Sequence, residues 1–236
     1  MKALVGFIII IVIGISIAVT LNLQHYSDDP ESPYNRNENN RLKIFSPFDV
    51  NPDLVDSTLQ DKKKDHTVGD FSFVNQLGDT ITKVNVSGKI YVVDYFFTTC
   101  GGICPKMTKQ LQRVQAEFLT DPNFLILSHT VNPKIDTVEV MYKYAERFEA
   151  NSSKWWFLTG SKEDLYTMAR KSYLVVPDQA DPNYKHGDES DFIHTENFVL
   201  IDPDGRIRGM YDGTNEGEVS ELIRDIYDLK REYTFD

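Results

Sequence analysis

Residues 91–105, YVVDYFFTTCGGICP, constrain the fold of this chain more than any other stretch. They overlap a nearly unbroken apolar run, residues 90–97, which favours a strand buried on both faces. A loop with two glycines follows and carries both cysteines of the chain, Cys100 and Cys104. Pro105 then stands where the first turn of a helix accepts proline, and apolar residues recur at helical spacing through residue 119. The chain therefore predicts a strand, a thiol loop and a helix in immediate succession.

This succession is typical of the opening βα unit of a thioredoxin-like fold. The positive end of the helix dipole favours thiolate over thiol at such a loop. The cysteine spacing is C-x-x-x-C, and two soft thiolates that converge suit Cu(I) and a reversible disulfide equally well. A plain stabilising disulfide is the third interpretation, but closing so short a loop removes little chain entropy.

Composition narrows the possible functions. With 236 residues, 41% of them hydrophobic and 26% charged, the chain predicts an ordinary soluble domain with additional segments. A formal net charge of −11 argues against nucleic-acid binding, because phosphates find no basic surface. This charge suits a protein that meets cationic partners or metal ions.

The N-terminal residues predict a membrane anchor. Residues 3–21 carry no charge and are long enough to cross a bilayer core as a helix. Lys2 precedes this run and three acidic residues follow it closely, so the positive-inside rule places the body of the protein outside the cytoplasm. A signal peptide cleaved after Ala18 is the alternative, and no cysteine follows the run, which argues against a lipoprotein. Either topology puts the two thiols in an oxidising compartment.

The remaining chain predicts a mixed α/β sheet flanked by helices. Residues 24–65 form a mostly polar tether, and the folded domain begins near His66. A long acidic loop is expected at residues 177–191. Strands are expected at residues 71–74, 80–84, 124–128, 155–158, 197–201 and 207–211, and helices at residues 137–148, 161–171 and 218–229.

A histidine near the last part of the sheet favours metal chemistry. In thioredoxin-like oxidoreductases, a cis-proline precedes the strand beside the cysteine loop. Here no proline stands before the matching strand, and His194 lies close to that position. Two thiolates and one imidazole bind Cu(I) through sulfur and Cu(II) with the nitrogen added. His129, at the end of a predicted strand, is the competing ligand, because strand ends gather on the active face of an α/β sheet.

The other three histidines are expected to be exposed to solvent. His25 belongs to the tether, His66 to the edge of the domain and His186 to the acidic loop.

Together these residues resemble the Sco/SenC family of membrane-anchored copper chaperones for cytochrome c oxidase. The resemblance extends over residues 66–229, far more than a single motif. The pieces that carry it are residues 93–100, 104–107, 131–133, 136–137, 156–160, 194–195 and 198–202.

The resemblance implies a thioredoxin-like domain that binds one copper ion through two cysteines and one histidine. Transferred to this sequence, these ligands are Cys100, Cys104 and His194. The implied organisation is a membrane anchor at residues 1–23, an extracytoplasmic (periplasmic) tether at residues 24–65 and a copper-binding domain at residues 66–236. The implied activity is delivery of copper to the CuA site of the oxidase, or reduction of the thiols of that site.

Some observations leave other interpretations open. The family commonly has proline after the first cysteine and aspartate before the histidine, where this chain has Gly101 and Ile193. A thiol:disulfide oxidoreductase that uses the Cys100/Cys104 pair is the alternative from the enzyme class. A redox-sensing or scaffold module that docks through the acidic loop is the third hypothesis.

The anchor hypothesis makes a direct prediction. Deleting residues 1–23 should leave a soluble and folded domain, because the polar tether that follows contributes no core. Circular dichroism and fractionation of cell membranes measure the two properties. Full-length protein that begins near Val19 and washes off membranes would show cleavage in place of anchoring.

Overall fold

The fold was analysed in a computed structural model that describes residues 41–50, 59, 66–175 and 195–234. The described residues from Ile44 onward belong to one compact unit. Within the described residues this unit contains a mixed sheet of seven strands, in the order β2-β1-β5-β4-β3-β6-β7. The strands are β1 (Ser72–Asn75), β2 (Thr80–Thr82), β3 (Ile90–Phe96), β4 (Phe124–Thr130), β5 (Trp155–Thr159), β6 (Asn197–Ile201) and β7 (Ile207–Asp212).

Five helices in the described part of the chain accompany the sheet. They are α1 (Lys83–Val86), α2 (Cys104–Glu117), α3 (Val138–Arg147), α4 (Lys162–Thr167) and α5 (Glu216–Glu232). A 3₁₀ turn at Pro47–Asp49 precedes the sheet, and α4 continues into a π-helical turn at Met168–Ser172.

The centre of the sheet is parallel. Strands β3, β4 and β5 run in the same direction, and β3 pairs with β4 from Ile90↔Phe124 to Phe96↔Thr130. On its other side β3 pairs with the antiparallel β6, so it is a central strand, and all seven of its residues are buried. Because parallel strands end at the same edge, the loops after β3 and β4 are neighbours. The cysteines follow β3 at this edge.

Helices cover both faces of the sheet. On one face, Phe118 at the end of α2 packs on Phe124 of β4 and on Tyr227 of α5, with ring centroids 4.8 and 5.0 Å apart. On the opposite face, residues of α4 and of the π-helical turn join the apolar side chains of β3 and β4 in the main core cluster. Side chains alternate along a strand, so neighbouring residues of β3 and β4 face different helices.

Most of the predicted elements are present with ends shifted by a few residues. The predicted strand at residues 80–84 is wrong at its C-terminal end, because residues 83–84 belong to α1 and not to β2. The side chain of Asn85 accepts a hydrogen bond from the backbone N–H of Thr82 at 2.8 Å, which caps a helical turn and ends the strand.

The expectation that His66 is exposed is wrong. Its side chain is buried, and ring atom Nε2 lies 2.9 Å from the carbonyl oxygen of Ser172. The π-helical turn presents this carbonyl oxygen, so His66 ties the start of the domain to the end of α4.

Several predictions concern residues outside the described part of the chain. These are the anchor, most of the tether, the acidic loop, His25, His186 and His194. The expectation that the tether contributes no core is wrong for its described residues, because Val50 belongs to the main core cluster and Phe45 and Leu59 pack against it. Among the described helices, none combines the length and the hydropathy that a bilayer span requires.

His129 lies in the aromatic core and not at an accessible end of the sheet. Its ring stacks on Tyr95 at a centroid distance of 5.3 Å, meets Phe73 edge-on at 5.3 Å and lies 5.5 Å from Tyr173. Neither ring nitrogen has a hydrogen-bond partner in the described structure. Burial lowers the pKa of His129 to about 3, so the imidazole is neutral in the folded protein.

Because the neutral imidazole of His129 has no hydrogen-bond partner in the described structure, we expect an apolar ring at this position to stabilise the fold. His129→Phe should raise the free energy of unfolding by about 1–3 kcal/mol near pH 7, because two unpaired polar atoms leave the core. Chemical denaturation of the variant and the parent measures this difference.

The same substitution should change the pH dependence of stability. The folded pKa of His129 lies below the unfolded value of 6.5, so protons favour the unfolded parent as pH falls from about 6.5 to about 3. The advantage of His129→Phe should therefore grow by up to about 1.4 kcal/mol per pH unit in this window. A constant difference between pH 7 and pH 5 would contradict a buried neutral imidazole.

Candidate functional site

The two cysteines lie between the end of β3 and the first turn of α2. The backbone N–H of Cys100 donates to the carbonyl oxygen of Phe97 at 3.2 Å and closes a turn, here called the thiol turn (residues 97–100). Cys104 is the first residue of α2. Both thiols are free, with Cys104 buried and Cys100 partly exposed.

The sulfur of Cys100 accepts several hydrogen bonds from the start of α2. Burial alone would raise its pKa, but the backbone N–H groups of Cys104, Gly102 and Ile103 and the thiol of Cys104 donate to it. These donors outweigh burial and lower the pKa of Cys100 below the ordinary value. Backbone N–H groups at a helix start stabilise a negative charge, so Cys100 loses its proton more readily than an ordinary cysteine.

Cys104 has the opposite tendency. Burial raises the pKa of its thiol to about 12, although the backbone N–H of Phe97 donates to the sulfur and lowers it. The neighbouring Cys100 and Asp94 raise it further. Of the two thiols, Cys100 is therefore the one that ionises first.

An apolar cavity of about 250 Å³ lies beside the sulfurs. The side of β3 and the thiol turn contribute Tyr95 and Phe97, and Ile103 contributes from the loop. Thr195, two residues before the start of β6, also lines the cavity. The cavity is large enough for a single ion or for a side chain of a docked protein.

A buried carboxyl group, Asp94, lies on the α2 side of β3. The hydroxyl of Ser128 on β4 donates to it, and the indole Nε1 of Trp155 donates to the same hydroxyl at 2.8 Å. Burial raises the pKa of Asp94 to about 7, and the bond from Ser128 opposes this shift. Asp94 therefore lies near Cys104 as an acid that titrates close to neutral pH.

A second buried carboxyl group, Asp136, connects the loop after β4 to the thiol turn. Its Oδ1 accepts from the backbone N–H of Thr98 at 3.2 Å and from the hydroxyl of the same residue. Its Oδ2 accepts from the hydroxyl of Thr130 at the end of β4. The loops that follow two neighbouring parallel strands are thus joined beside the cysteines.

Sequence reasoning assigned no site role to Asp94 or Asp136. An acidic residue inside the apolar run at residues 90–97 was the available signal for Asp94. Asp136 entered only as part of the family resemblance, because its partner Thr98 is 38 residues away in the chain.

The predicted ligands have different positions. The structure brings Cys100 and Cys104 together, whereas His129, the competing ligand, lies in the aromatic core and does not line the cavity. His194 falls outside the described residues and directly precedes Thr195 in the sequence. Within the described part of the chain, no three histidine, cysteine or acidic side chains are grouped to hold a metal ion.

Comparison with known proteins identifies relatives that share most of the folded part. The chain is 28% identical over 163 residues to the SCO1 protein homolog of Bacillus subtilis, covering 68% of this chain and 81% of that protein.

Solved structures show the same fold. The structure of BsSco, a member of the Sco family of cytochrome c oxidase assembly proteins in which a disulfide switch was identified, matches with a TM-score of 0.59 and 26% identity. It covers 72% of this chain and 95% of BsSco. Arabidopsis thaliana ScoI with copper bound matches with a TM-score of 0.55 and 25% identity, covering 71% of this chain and 99% of that protein.

A family model also matches most of the chain. The model described as SCO1/SenC matches residues 59–230, which include the whole described sheet, the thiol turn and nearly all of α5. The chain therefore belongs to the SCO1/SenC family.

Proposed function

We propose that this protein is a membrane-anchored copper metallochaperone with its folded domain on the extracytoplasmic side of the cytoplasmic membrane. It binds copper through Cys100, Cys104 and His194. It delivers copper to the CuA site of cytochrome c oxidase, or reduces the thiols of that site. Copper is the cargo in this proposal, and the protein is not an enzyme that turns over a small substrate.

The paired sulfurs are the observation that carries the proposal. Cys100 and Cys104 lie within hydrogen-bonding distance of each other, both are free thiols, and the pKa of Cys100 is lowered. Soft thiolates select Cu(I) over the harder divalent ions. Because the cavity beside the sulfurs is apolar, water competes weakly with sulfur for the ion.

The relatives support copper as the cargo and the oxidase as the destination. ScoI of Arabidopsis thaliana was solved with copper bound, and the Sco family is described as one of cytochrome c oxidase assembly proteins. The acceptor is then the copper-bearing subunit of the oxidase, or another periplasmic protein that binds copper through thiols.

The position of Thr195 supports His194 as the third ligand. Thr195 lines the cavity beside the sulfurs, and His194 is the residue before it. The buried His129 has its ring among Tyr95, Phe73 and Tyr173 and is unsuited to the role.

The different pKa values of Cys100 and Cys104 determine the order in which the two sulfurs bind copper. The Cys100 thiolate is available first, since three backbone N–H groups already stabilise its charge. Cys104 must release its proton before its sulfur can bind, which makes binding dependent on pH. Thiolates of the acceptor then replace Cys100, the more exposed sulfur, before Cys104.

A thiol:disulfide oxidoreductase is the second candidate, and the unequal pKa values of the two thiols favour it. The Cys100 thiolate would attack a disulfide of the partner, and one partner thiolate would leave. Cys104 would then lose its proton and attack the Cys100 sulfur, which releases the second partner thiolate. Two electrons pass from the Cys100/Cys104 pair to the partner. The disulfide switch identified in BsSco supports a redox role for the pair.

The first test is anaerobic titration of the reduced protein with Cu(I) against a competing chelator. We expect one equivalent to bind far more tightly than to a simple dithiol peptide. Cys100→Ala and Cys104→Ala should each lose most of this affinity, because Cu(I) is satisfied by two thiolates. Binding no tighter than that of the peptide would leave the oxidoreductase as the function.

The histidine is tested with Cu(II). His194→Ala should keep appreciable Cu(I) binding but lose stable Cu(II) binding and its thiolate charge-transfer absorption, because Cu(II) prefers added nitrogen ligands. His129→Ala is the matched control and should keep the parent's spectrum. A spectrum abolished by His129→Ala and spared by His194→Ala would overturn the ligand assignment.

The unequal thiols predict unequal reactivity. At pH 7 the reduced protein should be alkylated by iodoacetamide at Cys100 at least about tenfold faster than at Cys104, because the thiolate is the reacting form. Mass spectrometry of the two cysteine sites after short exposures measures the ratio. Equal rates would contradict the separation of the two pKa values.

A further inference from the structure

We propose that Asp136 is a positioning residue for the two sulfurs. Through Thr98 it fixes the thiol turn, and it thereby sets how readily the Cys100/Cys104 pair is oxidised and how tightly the pair holds Cu(I). The part that concerns copper rests on the proposed function, whereas the part that concerns oxidation is independent of it.

Both carboxyl oxygens of Asp136 are used by loop hydrogen bonds. The side chain is fully buried, with Thr98 donating twice to Oδ1 and Thr130 donating to Oδ2. Buried acceptors with these partners are costly to disturb, because a donor left without a partner keeps its full desolvation penalty. The contact between the two loops is therefore well determined.

The thiol turn reaches both sulfurs. Thr98 is its second residue, and Cys100 at its end carries one sulfur. Phe97, directly before Thr98, donates its backbone N–H to the sulfur of Cys104. A shift of Thr98 would therefore move a donor away from Cys104 and move Cys100 relative to the start of α2.

The loop that carries Asp136 is itself held firmly to the sheet. The backbone N–H of Asp136 donates to the carbonyl oxygen of Asn132 at 2.9 Å. The backbone N–H of Asn132 donates to the Thr130 hydroxyl at 2.9 Å, and Val131 donates to the carbonyl oxygen of Phe96 at 2.9 Å. Asp136 can thus transmit the rigidity of β4 to a glycine-containing loop.

The direction of the effect follows from the donors at the sulfurs. Backbone N–H groups stabilise a thiolate more than a disulfide sulfur, because hydrogen bonds to ionised groups are the stronger ones. Loosening the thiol turn should weaken these bonds and disfavour the reduced pair. It should also weaken Cu(I) binding, which uses the same arrangement of sulfurs.

The experiment compares four variants of the full-length protein. Thr98→Val and Asp136→Asn remove donors or an acceptor from the contact, whereas Thr98→Ser keeps the hydroxyl. Thr130→Val is the structural control, because it removes two hydrogen bonds of the Asp136 loop, one to the same carboxyl group and one from the backbone N–H of Asn132, without removing any bond of the thiol turn. The first readout is the ratio of dithiol to disulfide at equilibrium in copper-free glutathione buffers, alongside the free energy of unfolding.

We expect Thr98→Val and Asp136→Asn to shift this ratio about five- to tenfold towards the disulfide, the size of one lost hydrogen bond. Thr98→Ser should match the parent, and Thr130→Val should lose stability but change the ratio less than about twofold. The proposal is overturned if Thr130→Val shifts the ratio as far as Thr98→Val, or if Thr98→Val leaves it at the parent's value.

The design separates this proposal from the copper proposal. A parent that binds no copper would refute copper transport, while the glutathione ratio would still decide the role of Asp136. If Asp136→Asn does not fold, the comparison of Thr98→Val with Thr98→Ser decides alone. Where copper does bind, the Cu(I) affinities of Thr98→Val and Asp136→Asn should fall in parallel with the ratio, and unchanged affinities would overturn the copper part.

Discussion

The hydrogen bonds from the start of α2 to the sulfur of Cys100 are the interaction on which the site depends. Three backbone N–H groups and the thiol of Cys104 converge on this atom and lower its pKa despite burial. They can do so only because α2 begins at Cys104, a few residues after β3 ends. All residues of β3 are buried, which fixes the point at which the loop begins. The central strand therefore positions the donors, and the donors make Cys100 the more acidic of the two thiols.

A thiol with a lowered pKa beside one with a raised pKa is compatible with both proposed activities. Disulfide exchange needs one reactive sulfur at a time, and the second sulfur needs to react only after the mixed disulfide has formed. Copper binding needs both sulfurs without protons, so the high pKa of Cys104 makes uptake of the ion release a proton. Asp94, near Cys104 and with a pKa of about 7, lies in a suitable place to influence that proton. The two activities thus differ mainly in the partner that approaches Cys100.

The sequence predicted the elements that depend on local pattern. The apolar run of β3 and the helical spacing of α2 are local signals, and both elements are present. Contacts between distant residues were not predictable in this way, since Asp136 and Thr98 meet only after two parallel strands have paired. His66 was predicted wrongly for the same reason, because its partner Ser172 belongs to a turn 106 residues later. His194 as a ligand remains a prediction that rests on the family resemblance and on its place before Thr195.

Gly101 makes the contact between Asp136 and Thr98 more important in this chain. Family members commonly have proline at this position, and proline would restrict the backbone beside the first cysteine. Here a Cβ at Gly101 would meet no atom within 4 Å, so packing does not restrain this part of the loop either. Glycine has the largest conformational freedom to lose when a loop becomes ordered. The order of the sulfurs must therefore come from the two ends of the loop, where Thr98 is held by Asp136 and Cys104 is held by α2.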